Sequence, residues 1–326
     1  MGSTKRRRVS YVAALAAASA LLLAGCGGES TTGGATSEST AAAGAFPTSG
    51  SGEVHLYNWT DYIDPEQLKA FTAETGIEVI LDTYDSNETM LAKIQAGATG
   101  YDVLVPSDYM VKQMIDLGLL ENIGVNTFPN AGNIKDNLVD VYWDKGRNYS
   151  APYMYGSTGI GCNFDAEPGC AKITSWKDYF TLNLPKTDSL KDQVEVVSAA
   201  LRATGTPAAD LCTEDKAAYA KAEELLAGFK PAVIDSDSGI ERVVAGTSNV
   251  RHAWNGSVHR MTVASNFSGY DNGITGSDAF MDEALKADPA VIVPADKVAL
   301  LTPTPNCGEA ARELYTQVFT TWTSNQ

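Results

Sequence analysis

Between residues 54 and 117 the chain alternates three times between a short apolar run and an amphipathic stretch, and few architectures other than a parallel sheet flanked by helices accept that order. Val54-His55-Leu56-Tyr57 alternates like a strand. Asp64-Pro65-Glu66-Gln67 then opens a helix with an N-cap, a first-turn proline and a capping-box glutamine; Leu68 and Phe71 share one face and Gly76 ends it. Ile77 to Tyr84 reads as a second strand, and Ser86 caps a helix over residues 87–95 that Gly97 stops. Asp102 to Val105 is a short apolar strand of the buried, parallel kind, and Pro106-Ser107-Asp108-Tyr109 leads into a helix carrying Val111, Met114, Ile115 and Leu117. The pattern predicts a doubly wound α/β lobe.

In such sheets ligands sit beyond the carboxyl ends of the strands. Three loops should share that rim: Trp59-Thr60-Asp61-Tyr62, Asp85-Ser86-Asn87-Glu88 and Ser107-Asp108-Tyr109, all polar and aromatic. The hexapeptide Tyr57-Asn58-Trp59-Thr60-Asp61-Tyr62 combines three rings, a hydroxyl and a carboxylate. An organic cation asks for that mixture, because ring faces attract positive charge at about 0.5–2 kcal/mol each, ring bodies bury methylenes, and an acid supplies the counter-charge.

The N-terminus predicts export. Lys5-Arg6-Arg7-Arg8 precedes an apolar stretch from Val9 to Leu23 and the tetrapeptide Leu23-Ala24-Gly25-Cys26, the order of a signal peptide. The tetrapeptide looks like a bacterial lipobox, so residues 1–25 are expected to be removed and Cys26 acylated, anchoring the protein to the outer face of the cell membrane or in the periplasm; the arginines suit either the general or the twin-arginine exporter. Residues 26–52 are rich in Ser, Thr, Gly and Ala and too poor in large apolar residues to fold, hence a flexible tether. The formal charge of −16 becomes −20 once the four basic residues of the leader are gone, which argues against nucleic-acid binding and suits a cationic ligand. Cys162, Cys170, Cys212 and Cys307 remain, an even count that reads as disulfides in an exported chain. Cys162 with Cys170 would staple one loop and leave Cys212 with Cys307, although four cysteines allow three connectivities.

Downstream, Pro152 to Gly161 reads as a glycine-softened crossing into a second lobe. It is no phosphate loop, lacking both Gly-Lys-Ser/Thr and G-x-G-x-x-G. Helices are expected near Trp176 to Leu182, Leu190 to Ala203, Thr213 to Phe229 and Glu309 to Trp322, with strands at Ala232 to Asp235 and Val250 to Trp254. No Gly-x-Ser-x-Gly elbow or His-Glu-x-x-His occurs, and His55, His252 and His259 have no ligand spacing, so neither metal nor cofactor is expected. A hydrolase pairing Asp192 with Glu195, or the acids of the Asp85 loop, stands as the rival class.

Taken in order, the motifs resemble the periplasmic polyamine-binding proteins, the spermidine/putrescine receptors of ABC importers. The residues that carry the resemblance are the hexapeptide, Thr75-Gly76-Ile77, Tyr84-Asp85-Ser86-Asn87-Glu88-Thr89-Met90, Tyr101-Asp102 through Ser107 to Tyr109, Ala151-Pro152-Tyr153 through Gly161, Thr174-Ser175-Trp176 and Trp254-Asn255-Gly256-Ser257. The resemblance implies a two-lobed, type II-like α/β binding-protein fold with the ligand cleft between the lobes. On it, residues 53–152 form the first lobe, 153–260 the second, 261–295 a shortened return to the first, and 296–326 a final segment of the second. It implies a monomeric, non-enzymatic substrate-binding component that captures putrescine or spermidine and delivers it to membrane permease subunits, with a same-fold receptor for another small organic cation as the alternative. By similarity Trp59, Thr60, Asp61, Tyr62, Ser107 and Tyr109 belong to one wall, Trp254 supplies a second-lobe ring, Asp192 and Glu195 match an Asp-x-x-Glu at a helix start, and Tyr270 lies near the ligand. The sequence departs from the family after Ser257: Val258-His259-Arg260-Met261 runs almost directly to Gly269-Tyr270, several tens of residues short, and a Trp-x-Asp ring and acid have no counterpart. Asp271 is the nearest replacement acid.

Overall fold

The computed structural model describes residues 49–236, 239–256, 271–272, 281, 283–289, 291–292, 301 and 303–326. Cys26, Ser257 and Tyr270 lie outside these residues, as do the leader and nearly all of the tether. Within the described residues no helix is long and apolar enough to cross a membrane.

Two sheets organise the fold. In the first, β1 (Glu53–Trp59), β2 (Glu78–Tyr84) and β3 (Val103–Leu104) run parallel in the order β2-β1-β3. They are linked by α1 (Pro65–Thr75) and α2 (Asn87–Gln95), and α3 (Asp108–Asp116) follows β3. The start and stop signals act locally. Asp64 accepts the Glu66 N–H at 2.9 Å, Ser86 accepts that of Thr89 at 3.1 Å, and Gly76 closes α1 at φ 78°, a backbone region that favours glycine. The face bearing Tyr57 and Tyr84 buries against Met90, Leu91, Met110 and Met114. On the other face the register sets Leu56 beside Leu81 and Val103, and the latter two stay exposed.

The second sheet has the order β5-β8-β6-β7, built from β5 (Thr158–Cys162), β6 (Thr187–Leu190), β7 (Val233–Asp235) and β8 (Val250–Trp254). Only β5 runs antiparallel to its neighbour. Its core joins α4 (Trp176–Thr181), α5 (Gln193–Ala203), α6 (Lys216–Gly228) and the C-terminal helix Glu309–Ser324 through Phe180, Leu201, Leu226, Phe229, Tyr315 and Trp322. In the crossing, β4 (Met154–Tyr155) pairs antiparallel with β9 (Asp271–Asn272). Both disulfides are present, Cys162–Cys170 within one loop and Cys212–Cys307 tying the C-terminal segment to the middle of the chain.

The expected elements recur with small shifts, of which two matter. α5 begins at Gln193 rather than Leu190, because residues 187–190 form β6 instead and Asp192 becomes the N-cap. β6 itself was not expected, since Thr187-Asp188-Ser189-Leu190 has no apolar pattern. Its Asp188 is fully buried and is held by Arg242 at 2.9 Å and Arg251 at 3.5 Å, which also reach Asp235 of β7. This charge network lets a polar segment occupy the interior of a sheet.

Candidate functional site

The ends of β1 and β8 bring two indoles together. Trp59 ends β1, and its ring N–H donates to the Val105 carbonyl at 2.8 Å, which fixes the plane of the indole. Trp254 ends β8 opposite Thr158 of β5, and its neighbour Asn255 exchanges two hydrogen bonds with Ser157, at 2.8 and 3.0 Å. The two indoles lie 6.2 Å apart at 65°, and Tyr62 and Tyr84 flank Trp59 at 6.0 and 4.7 Å. Between these rings opens a cleft of about 1140 Å³ whose lining includes Trp59, Tyr62, Ser107, Tyr109, Trp176, Asp192, Glu195 and Trp254.

Asn87 orders the first-lobe wall. Its side-chain amide donates to the Ser107 hydroxyl and the Tyr109 phenol at 3.0 and 2.9 Å, and its carbonyl accepts the Ser107 N–H at 3.2 Å. Tyr109 in turn donates to Glu88 at 3.1 Å. Burial, then the negative charges of Asp192 and Glu88, keeps the Tyr109 phenol protonated well beyond its ordinary range.

The facing wall is the first turn of α5. Asp192 accepts the Glu195 N–H at 3.0 Å, which caps the helix, and the residue lines the cleft. Burial and the nearby Glu88 charge raise the Asp192 pKa well above the usual carboxylate range. Burial and the Asp192 charge do the same to Glu195, and Asp108 adds to the repulsion, while the Thr158 hydroxyl and the Trp254 indole pull the other way. Among the described residues no lysine, arginine or histidine pairs with Asp108, Asp192 or Glu195. Carboxylates crowded this way in a ring-lined cleft attract positive charge and repel anions.

Seven of the expected site residues therefore share one cleft: Trp59, Tyr62, Ser107, Tyr109, Asp192, Glu195 and Trp254. Thr60 and Asp61 do not line it, because the chain turns outward after β1: Asp61 takes φ 62° and the Thr60 N–H and hydroxyl point to the Tyr84 carbonyl. Trp176 packs against the second-lobe core, edge-on to His252 at 4.7 Å, and also lines the cleft. Asn87 and Asp108 are additions; both belong to loops whose sequence marks them as rim, and Asp108 stands between two residues already expected there.

The chain matches the model of the bacterial extracellular solute-binding protein family over residues 66–274. It is 36% identical to the spermidine/putrescine-binding periplasmic protein of Salmonella typhimurium over 64% of this chain and 60% of that protein. It is 34% identical to the putrescine-binding periplasmic protein SpuD of Pseudomonas aeruginosa over 68% of this chain and 63% of that one. The match thus spans about 60% of the length of such relatives. Among solved structures, the spermidine/putrescine ABC transporter substrate-binding protein PotD of Streptococcus pneumoniae superposes with a TM-score of 0.66 at 22% identity, over 84% of this chain and 99% of that one. The Tp0655 lipoprotein of Treponema pallidum gives 0.62 at 25%, with the same coverage. With the family model spanning well over half of its length and the fold shared with these structures, the chain belongs to the bacterial extracellular solute-binding proteins.

Proposed function

We propose that this protein is the substrate-binding component of an ABC importer, held outside the cytoplasmic membrane by a lipid on Cys26, and that it captures a polyamine such as putrescine or spermidine for the permease subunits. One observation carries this reading: among the described residues no basic side chain pairs with Asp192 or Glu195, and both line a cleft walled by Trp59, Tyr62 and Trp254. A diamine offers an ammonium group for the acids and methylenes for the rings. Relatives whose names state putrescine or spermidine binding support the choice of ligand. The protein acts as a monomer, without cofactor or metal, and turns nothing over. Closure of the two lobes is a population shift, limited in size by how much better the ligand binds the closed state.

A second reading, a receptor of the same fold for a different small organic cation, is favoured by the short span of the match and by the loss of the Trp-x-Asp ring and acid. Calorimetric titration of the mature protein with putrescine, spermidine, spermine and a neutral diol separates the two. Heat with a diamine and none with the diol is expected. No heat across the amines rules out polyamines and leaves the second reading.

A further inference from the structure

The carboxylates of the cleft come from both lobes. Asp192 and Glu195 belong to the start of α5 in the second, whereas Asp108 is the first residue of α3 in the first and lines the same cleft. One Asp108 oxygen accepts the Tyr109 backbone N–H at 2.8 Å, and among the described residues no side chain donates to the carboxylate. Withdrawal from water raises its pKa to about 6, and its charge is felt by Glu195 across the cleft.

Both helices begin at the cleft, and a helix N-terminus carries the positive end of its dipole, which would repel a cation. An acid in each first turn reverses that field. The acids lie at one end of the α5 stripe that faces the cleft: Asp192 and Glu195 are followed by Ser198, Ala199 and Arg202. At 1.5 Å rise per residue, Arg202 begins roughly 15 Å from Asp192, so on this stripe the acids and the arginine stand at opposite ends.

Resting on the polyamine reading above, we propose that Asp108 is a specificity-determining ligand contact: with Asp192 and Glu195 it forms a three-carboxylate pocket, drawn from both lobes, for one terminal ammonium group. A cation touched by acids of both lobes binds the closed state better than the open one, so Asp108 is the first-lobe half of the clamp.

The test is titration of full-length Asp108→Asn, Asp108→Glu and unaltered protein with 1,4-diaminobutane, followed by calorimetry and by the summed tryptophan fluorescence, with a thermal melt of each. Asp108→Asn is expected to bind at least tenfold more weakly with its melt kept, and Asp108→Glu to remain within threefold of the unaltered protein. Diamine binding within threefold by a folded Asp108→Asn overturns this proposal alone. A Glu variant as weak as the Asn variant also overturns it, since the charge is then not what acts. An unaltered protein silent to every amine overturns the polyamine reading and this pocket together.

Discussion

Asp192→Asn should strengthen the ligand-free fold while destroying its binding. Asparagine caps a helix as well as aspartate does, so the bond to the Glu195 N–H at 3.0 Å survives the change. What disappears is a negative charge one helical turn from Glu195 and close to Glu88. Side chains three apart on a helix sit about 5–6 Å from one another. Two like charges at that distance repel by about 3 kcal/mol at an effective dielectric near 20. Because the crowded carboxyls hold protons more tightly than usual, only part of this repulsion is present near neutrality, and a gain of about 1–2 kcal/mol at pH 8 is expected.

The sign with pH follows from linkage. A carboxyl whose folded pKa is raised binds more protons in the folded than in the unfolded state between its ordinary value and the raised one, so it subtracts stability as pH climbs through that window. The Asp192→Asn advantage should therefore be largest at pH 8 and close at pH 4, where Asp192 is protonated in the parent. Thermal melts of both proteins at the two pH values measure it; for a chain of this size the gain is about 2–4 °C. Affinity for a diamine should fall at least tenfold, about 1.4 kcal/mol. A variant that melts lower at pH 8, or whose advantage persists unchanged at pH 4, would refute the account of Asp192 as a strained, cation-seeking acid.

Other outcomes follow from the same geometry. Trp59→Ala and Trp254→Ala should each weaken amine binding by about tenfold, in line with loss of a ring worth roughly 0.5–2 kcal/mol and its buried area, as read by calorimetry. His252 is fully buried, makes no hydrogen bond through either ring nitrogen among the described residues, and has its pKa pushed down to about 3 by burial and Arg251. It must stay neutral to remain folded, so stability drops as pH falls from 6.5 towards 3, and His252→Leu should remove about 2 kcal/mol of that loss at pH 5 in denaturant titrations. Reducing the Cys212–Cys307 bridge, which closes a span of 95 residues, should cost on the order of 4–5 kcal/mol, seen as a lower melting temperature in Cys212→Ser/Cys307→Ser.

The first lobe was open to reading because its signals are local. Alternation in β1, the Asp64 and Ser86 caps and the left-handed Gly76 each act within a few residues, so the order of strands and helices follows from the sequence. The second lobe hid what depends on distance. Thr187-Asp188-Ser189-Leu190 looks like a loop until Arg242 and Arg251, more than fifty residues later, neutralise Asp188 in the interior. That hidden strand moved the start of α5, and only the moved start shows Asp192 to be its N-cap. Likewise, the tripeptide Ser107-Asp108-Tyr109 is visibly a rim loop, but that its aspartate is withdrawn from water and senses Glu195 depends on the lobes meeting.

The two buried clusters of charge in this molecule make opposite use of the same residue type. Around Asp188, arginines meet the carboxylates at 2.7–3.5 Å, and the strands β6, β7 and β8 are held together by the result. Around Asp192, Glu195 and Asp108 the chain places helix caps, phenols and indoles but no cation among the described residues. A chain able to neutralise acids in its interior at one place has left them unneutralised at another, at a cost to its own stability. Structural needs do not account for that, since an asparagine would cap α5 equally well. A ligand that brings its own positive charge does: it relieves the repulsion, lowers the raised pKa values and releases protons as it binds. Amine binding should therefore tighten as pH rises from 5 to 8. Calorimetry in buffers of different ionisation enthalpy should show proton release at pH 7, and heats independent of the buffer would place the binding of cations elsewhere than at these acids.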